Sequence, residues 1–175
     1  MQPYKHMKRL LLAIAIATLT LPAYLHASVE PVPLDDLRPT QQHQKTILIS
    51  RKVIEQYHYK KHNLVNSLSG EILRQYLKTL DPNRSFFMAT DIRQFEEKYA
   101  RTFDDDIRHA RLENAFTIFK LYRQRVEERV SHALSLISKP VDIQSNDTYL
   151  VDREDAEWSP TRASLDDLWR KRIIN

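Results

Sequence analysis

Cysteine is absent from this 175-residue chain, and glycine occurs once, at Gly70. Without thiols neither a disulfide nor a thiolate metal site can form, so packing alone must hold the fold. A single glycine excludes the phosphate-cradling loop, the dinucleotide fingerprint and the nucleophile elbow, each of which needs several. It also disfavours tight β-hairpins, whose turns draw on glycine, and the expectation moves to an all-α fold. Long apolar runs are missing too. The apolar run near the start, Leu10 to Leu21, is twelve residues before Pro22, short of the about 20 that span a bilayer.

That stretch reads instead as the core of a secretory signal peptide over residues 1–27. Lys5, Lys8 and Arg9 precede it, Pro22 breaks it, and Ala27 offers a small residue for cleavage before Ser28. An uncleaved anchor is the alternative. Export follows, with no permanent membrane insertion once the peptide is removed. Cleavage takes three of the 27 basic residues and none of the 23 acidic ones, lowering the net charge from +4 to +1. A nearly neutral chain with alternating signs along its helices offers no basic patch for phosphates, which argues against a nucleic-acid partner. The 148 residues that remain are enough for one real core.

No constellation of catalytic residues emerges. His58 and His62 stand four apart, as metal-binding pairs do, but two histidines alone are a weak signal; surface histidines beside Lys60 and Lys61 is the plainer reading. Asp104, Asp105 and Asp106 read as helix-start carboxylates, since a calcium loop needs spaced oxygen ligands. A Ser/Lys dyad needs a shaped pocket and fixed oxyanion donors, and the serines sit in helical patterns. Asn146-Asp147-Thr148 matches a glycosylation acceptor that often occurs by chance. The stripe Phe116, Phe119, Tyr122 reads as core. The expectation is no cofactor and no metal.

Residues 28–38, with Pro31 and Pro33, read as an extended leading segment, and 39–138 as a helical domain. A first helix runs from Thr40 to about His58 with Ile47, Val53, Ile54 and Tyr57 on its apolar face. A second begins near Asn66 or Ser67 with the stripe Leu68, Ile72, Tyr76, Leu80, flanked by Leu73 and Leu77. A third spans about Asp91 to Ala100. One long helix, Asp105 to Ser138, carries Leu112, Phe116, Phe119, Val126, Val130 and Ile137. Residues 139–175 form an irregular segment and a last helix capped by Ser164 and Asp167, with Leu165, Leu168, Trp169 and Ile173. That final stripe is expected to lack a cover of its own, as though the chain were cut short.

The most informative run is Leu80 to Phe95, LDPNRSFFMATDIRQF. Asp81-Pro82-Asn83 supplies turn chemistry, and Thr90 or Asp91 caps the next helix with Gln94 three residues on from Asp91. Phe86 and Phe87 are too apolar for a solvated loop, so the turn is pinned on a core or a partner. With Lys139-Pro140-Val141-Asp142, Asn146-Asp147-Thr148-Tyr149, Asp152-Arg153, Trp158 and Leu168-Trp169 in that order, the chain resembles the N-terminal helical region of tail-specific proteases, the C-terminal processing peptidases. The likeness covers about residues 40–175.

The resemblance implies a periplasmic serine endopeptidase that takes apolar C-terminal tails through a PDZ domain and cleaves with a Ser/Lys dyad. PDZ domain and dyad lie beyond the position matching Asn175, so no catalytic residue carries over and this chain alone is expected to be inactive. What carries over is architecture. Asp81, Pro82, Phe86 and Phe87 form a packed turn; Tyr149, Trp158, Leu168 and Trp169 lead towards the PDZ and protease body. In some members the helical region also docks a helical-repeat adaptor. The rival to a severed protease domain is a free-standing exported helical adaptor or interaction module, with the product of a broken gene as a third reading.

Overall fold

The computed structural model describes residues 31–57, 68–138 and 147–174. The chain divides into Met1–Val32 and Pro33–Asn175; the first unit falls almost wholly outside the described residues, and the helices belong to the second. The signal peptide, His58, His62, Asn66, Ser67 and the stretch 139–146 also lie outside them, as do the side chains of Ile54 and Tyr57.

The described residues form an all-α fold of six helices: α1 Gln41–Tyr57, α2 Ser69–Leu80, α3 Ala89–Tyr99, α4 Phe103–Arg108, α5 Glu113–Ile137 and α6 Arg162–Ile174. No strand occurs among them, only a single parallel bridge between Met88 and Ser159. A 3₁₀ turn at Leu34–Asp36 interrupts the leading segment. Thr40 caps α1, its hydroxyl accepting the His43 N–H at 3.4 Å while its own N–H is donated to the His43 ring at 3.1 Å.

The core gathers Leu73 and Leu77 of α2, Ile92 and Phe95 of α3, Phe87, Phe103 and Ile118. The α2 stripe is rotated from the sequence expectation. Ser69, Leu73 and Leu77 are buried, while Ile72, Tyr76 and Leu80 lie at its flank. Ser69 belongs inside because its hydroxyl accepts the Phe103 and Asp104 N–H groups at 2.6 and 3.2 Å, capping α4 from another helix. α3 starts two residues before Asp91. Asp91 therefore sits in its first turn and reaches back to accept the Met88 N–H at 3.0 Å.

The long helix expected from Asp105 is two helices. Ala110 takes a left-handed conformation (φ 54°) that an α-helix cannot continue through. Asp106 holds the break, its carboxylate accepting from Arg111 Nε at 3.1 Å and Asn114 Nδ2 at 2.6 Å. The triple aspartate still occupies a first turn, that of the short α4. On α5, Ile118 and Arg129 are the buried residues, whereas Val130, Leu134 and Ile137 are exposed. α6 begins two residues before Ser164: Thr161 caps it, exchanging hydrogen bonds with Ser164 at 3.1 and 3.2 Å.

Candidate interface site around the Asp81 turn

α2 ends at Asp81 because Pro82 fixes a turn and offers no N–H to continue the helix. The side chain of Asp81, 1% exposed, then folds over the turn it has started. Its Oδ1 accepts the Ser85 N–H at 2.8 Å, and its Oδ2 accepts the N–H groups of Phe86 at 3.1 Å and Phe87 at 3.0 Å. A fourth donor arrives from far along the chain, the indole N–H of Trp158 at 3.1 Å. Four donors converge on the carboxylate, three on Oδ2 and one on Oδ1. Its work is to hold the backbone.

With the turn held so, Phe87 points into the core against Phe95 and Tyr122, and Phe86 stands between Tyr122 and Trp169 with ring centroids 5.6 Å from each. Burial, and secondarily the charge of Asp81, pushes the Tyr122 phenol above its ordinary range. Trp169 donates its indole N–H to the Ser85 carbonyl at 2.7 Å. Arg84, held at φ 47°, lays its guanidinium 4.6 Å over the Trp158 ring and donates to the Ala156 carbonyl. The irregular stretch 147–161 is thus a strap tied to the turn at Ala156, Trp158 and Ser159, the last accepting the Ala89 N–H at 3.0 Å.

Trp169 is only 9% exposed, which corrects the expectation of an uncovered final stripe. Its face is closed by residues of this same domain, Phe86 and Ser85 among them. Ion pairs fasten the same joint. Arg129, fully buried on α5, donates to Asp166 of α6, and Arg162 pairs with Glu128 at 3.2 Å. Arg125 grips Asp91 through two hydrogen bonds of 3.0 and 2.9 Å and also reaches Glu128. Those bonds, led by Asp91, raise the Arg125 guanidinium above its usual value.

The eight residues singled out from sequence fall into two groups. Asp81, Phe86, Phe87, Trp158 and Trp169 meet at the turn, and Pro82 lies exposed on its rim. Tyr149 and Leu168 do not join them; they line a shallow groove between strap and α6, beside Arg153 and Lys171. Sequence reasoning passed over Arg84, Ser85, Asp91 with Arg125, and Arg129 with Asp166, whose partners are distant in the chain. Among the described residues no three His, Asp or Glu side chains gather as a metal site would require. No described helix is long and apolar enough to cross a membrane.

The turn, the strap and the last helix all fall inside the stretch 50–175, which matches the family described as tail specific protease N-terminal domain. The chain belongs to that family. It is similar to the tail-specific protease of Haemophilus influenzae, 34% identical over 122 residues, a stretch that is 70% of this chain and 18% of that relative. The Asp81 node is accordingly a feature of a tail-specific protease N-terminal domain, and this chain spans under a fifth of the relative's length.

Proposed function

We propose that this chain serves as the N-terminal helical domain of an exported, periplasmic serine endopeptidase that degrades or processes proteins with apolar C-termini. The domain contributes structure and substrate access, and catalysis belongs to a Ser/Lys-bearing body with its PDZ domain. The observation that carries this reading is the family match over 50–175, which contains the whole node of Asp81, Trp158 and Trp169. Support comes from the chemistry of that node, where the central carboxylate holds the backbone donors of the turn, and the indoles fix the strap through Trp158 and α6 through Trp169. On this reading the strap and α6 act as a rigid bracket. Tyr149 and Leu168, in the groove on its outer side, meet the protease body.

The test is a cleavage assay on a reporter peptide with an apolar C-terminus. The purified chain alone gives no turnover, and mixed with a protease body lacking its own helical domain it binds and alters cleavage. Turnover by the chain alone, surviving removal of every co-purifying protease, would overturn the proposal. Tight binding to a separate helical-repeat protein with no affinity for the body would favour the adaptor reading.

A further inference from the structure

α1 meets the rest of the fold along one edge. The His43 ring sits 5.5 Å from that of Phe116 on α5, and Arg51, about two turns on, donates to the Arg108 carbonyl at the end of α4. The opposite face is open. Ile49 is 64% exposed and Val53 49%. Thr46 is in line with them, its hydroxyl turned back onto the Gln42 carbonyl at 2.9 Å. Thr46, Ile49 and Val53 follow one another at steps of three and four residues, with exposed Gln42 and Gln56 at the two ends of the row. A strip so narrow has the width of a coiled-coil seam.

In that register Lys45 and Lys52 take the same flanking position in successive heptads, where paired helices select one another by charge. Both are exposed, and neither forms an ion pair with any described residue. No described side chain of α1 is acidic. The arginines of α2, α4 and α5, by contrast, all stand on carboxylates.

The charge and width of this face select its occupant. A second α1 is a poor match: antiparallel pairing sets lysine against lysine, and parallel pairing sets Lys45 opposite Ser50. Helices that lie in a membrane surface use a broad apolar face rich in Trp, Phe or Leu. Here the lysine row separates Ile49 from Leu48, the next exposed aliphatic at 42%. We propose that α1 pairs with an acidic amphipathic helix of another protein. Thr46, Ile49 and Val53 interleave with aliphatic side chains at heptad spacing on the partner, and Lys45 and Lys52 meet two glutamates that flank that seam one heptad apart. The family match begins at residue 50, so Lys45, Thr46 and Ile49 lie outside it and the pairing does not rest on the protease reading.

The probe is a blocked peptide of three repeats of Glu-Ile-Ala-Ala-Leu-Glu-Lys, with glutamates on both flanks of its seam. The control, three repeats of Lys-Ile-Ala-Ala-Leu-Lys-Glu, keeps the seam and exchanges the charges. Each is titrated into the isotope-labelled chain at low salt. The Ile49 and Val53 methyl resonances shift saturably with the glutamate peptide, and the lysine peptide binds roughly tenfold more weakly, the scale of two exposed ion pairs made or reversed. Added salt narrows that gap. In the double variant Lys45→Glu with Lys52→Glu, changed only at exposed positions, the preference inverts while the Ile92 methyl resonance of the core stays in place. No shift on α1, equal affinity for the two peptides, or a preference unchanged in the double variant would each overturn the proposal. A response of Ile49 and Val53 to concentrating the chain alone, or to phosphatidylglycerol vesicles, with neither peptide bound, would assign the face to a second copy or to a membrane and overturn it as well. Any of these failures leaves the protease-domain reading untouched.

Discussion

The carboxylate of Asp81 accepts the indole N–H of Trp158 at 3.1 Å across 77 residues of chain. The same oxygen holds the N–H groups of Phe86 and Phe87. One side chain therefore sets both the local turn and the path of the strap, and the two cannot be perturbed separately. Asp81→Ala should strand four donors, three of them backbone, and cost about 3–5 kcal/mol, as for other broken buried networks. Asp81→Asn keeps one acceptor oxygen and should cost less, about 2–3 kcal/mol. Urea denaturation followed by tryptophan fluorescence measures both; a loss under about 1 kcal/mol for Asp81→Ala would show that the carboxylate does not organise the turn.

The α5–α6 joint rests on a buried cation. Arg129 is 1% exposed and donates to Asp166. Asp166→Ala leaves that guanidinium without its carboxylate and should destabilise the chain by about 2–4 kcal/mol. The double variant Arg129→Met with Asp166→Ala removes both charges and should recover most of the loss. A thermodynamic cycle on the two single variants and the double variant decides it: additive losses would mean the pair is not coupled.

Much of the fold was legible because it is local. One glycine and strong 3.6-residue periodicity announce helices, and Asp81-Pro82-Asn83 with two phenylalanines announces a packed turn. What escaped depends on partners far away in sequence. Ser69 looks like a surface residue at a helix start until Phe103 and Asp104 need its hydroxyl, and that need rotates the α2 stripe. Ala110 carries no composition signal for a left-handed turn, so α4 and α5 read as one helix. Trp169 reads as part of an uncovered stripe and Trp158 as leading away towards a protease body, because their acceptors, the Ser85 carbonyl and the Asp81 carboxylate, lie 84 and 77 positions away.

Tyr76 makes stability sensitive to alkali. Burial pushes its phenol up to about 12, and its hydroxyl donates to the Ala115 carbonyl at 3.1 Å. The folded chain thus keeps the proton more tightly than the unfolded chain does. The neutral phenol's contribution is complete below about pH 10 and is lost as pH climbs towards about 12. Tyr76→Phe lowers stability at neutral pH by about 1 kcal/mol, the value of one hydrogen bond, and loses less of what remains in alkali. Urea midpoints of the two proteins from about pH 9 to about pH 12 should therefore converge. Parallel curves would contradict the burial of that hydroxyl.

The central claim is that strap and last helix are integral to this domain's core, closed by Trp158 on Asp81 and Trp169 on Ser85. Native-state hydrogen exchange tests it most directly. With the core closed in this way, the Trp169 indole proton and the amides of Leu165 to Trp169 exchange slowly, opening in step with the buried turns of α2 around Leu73 and Leu77. Fast exchange throughout α6, with α2 still protected, would contradict it.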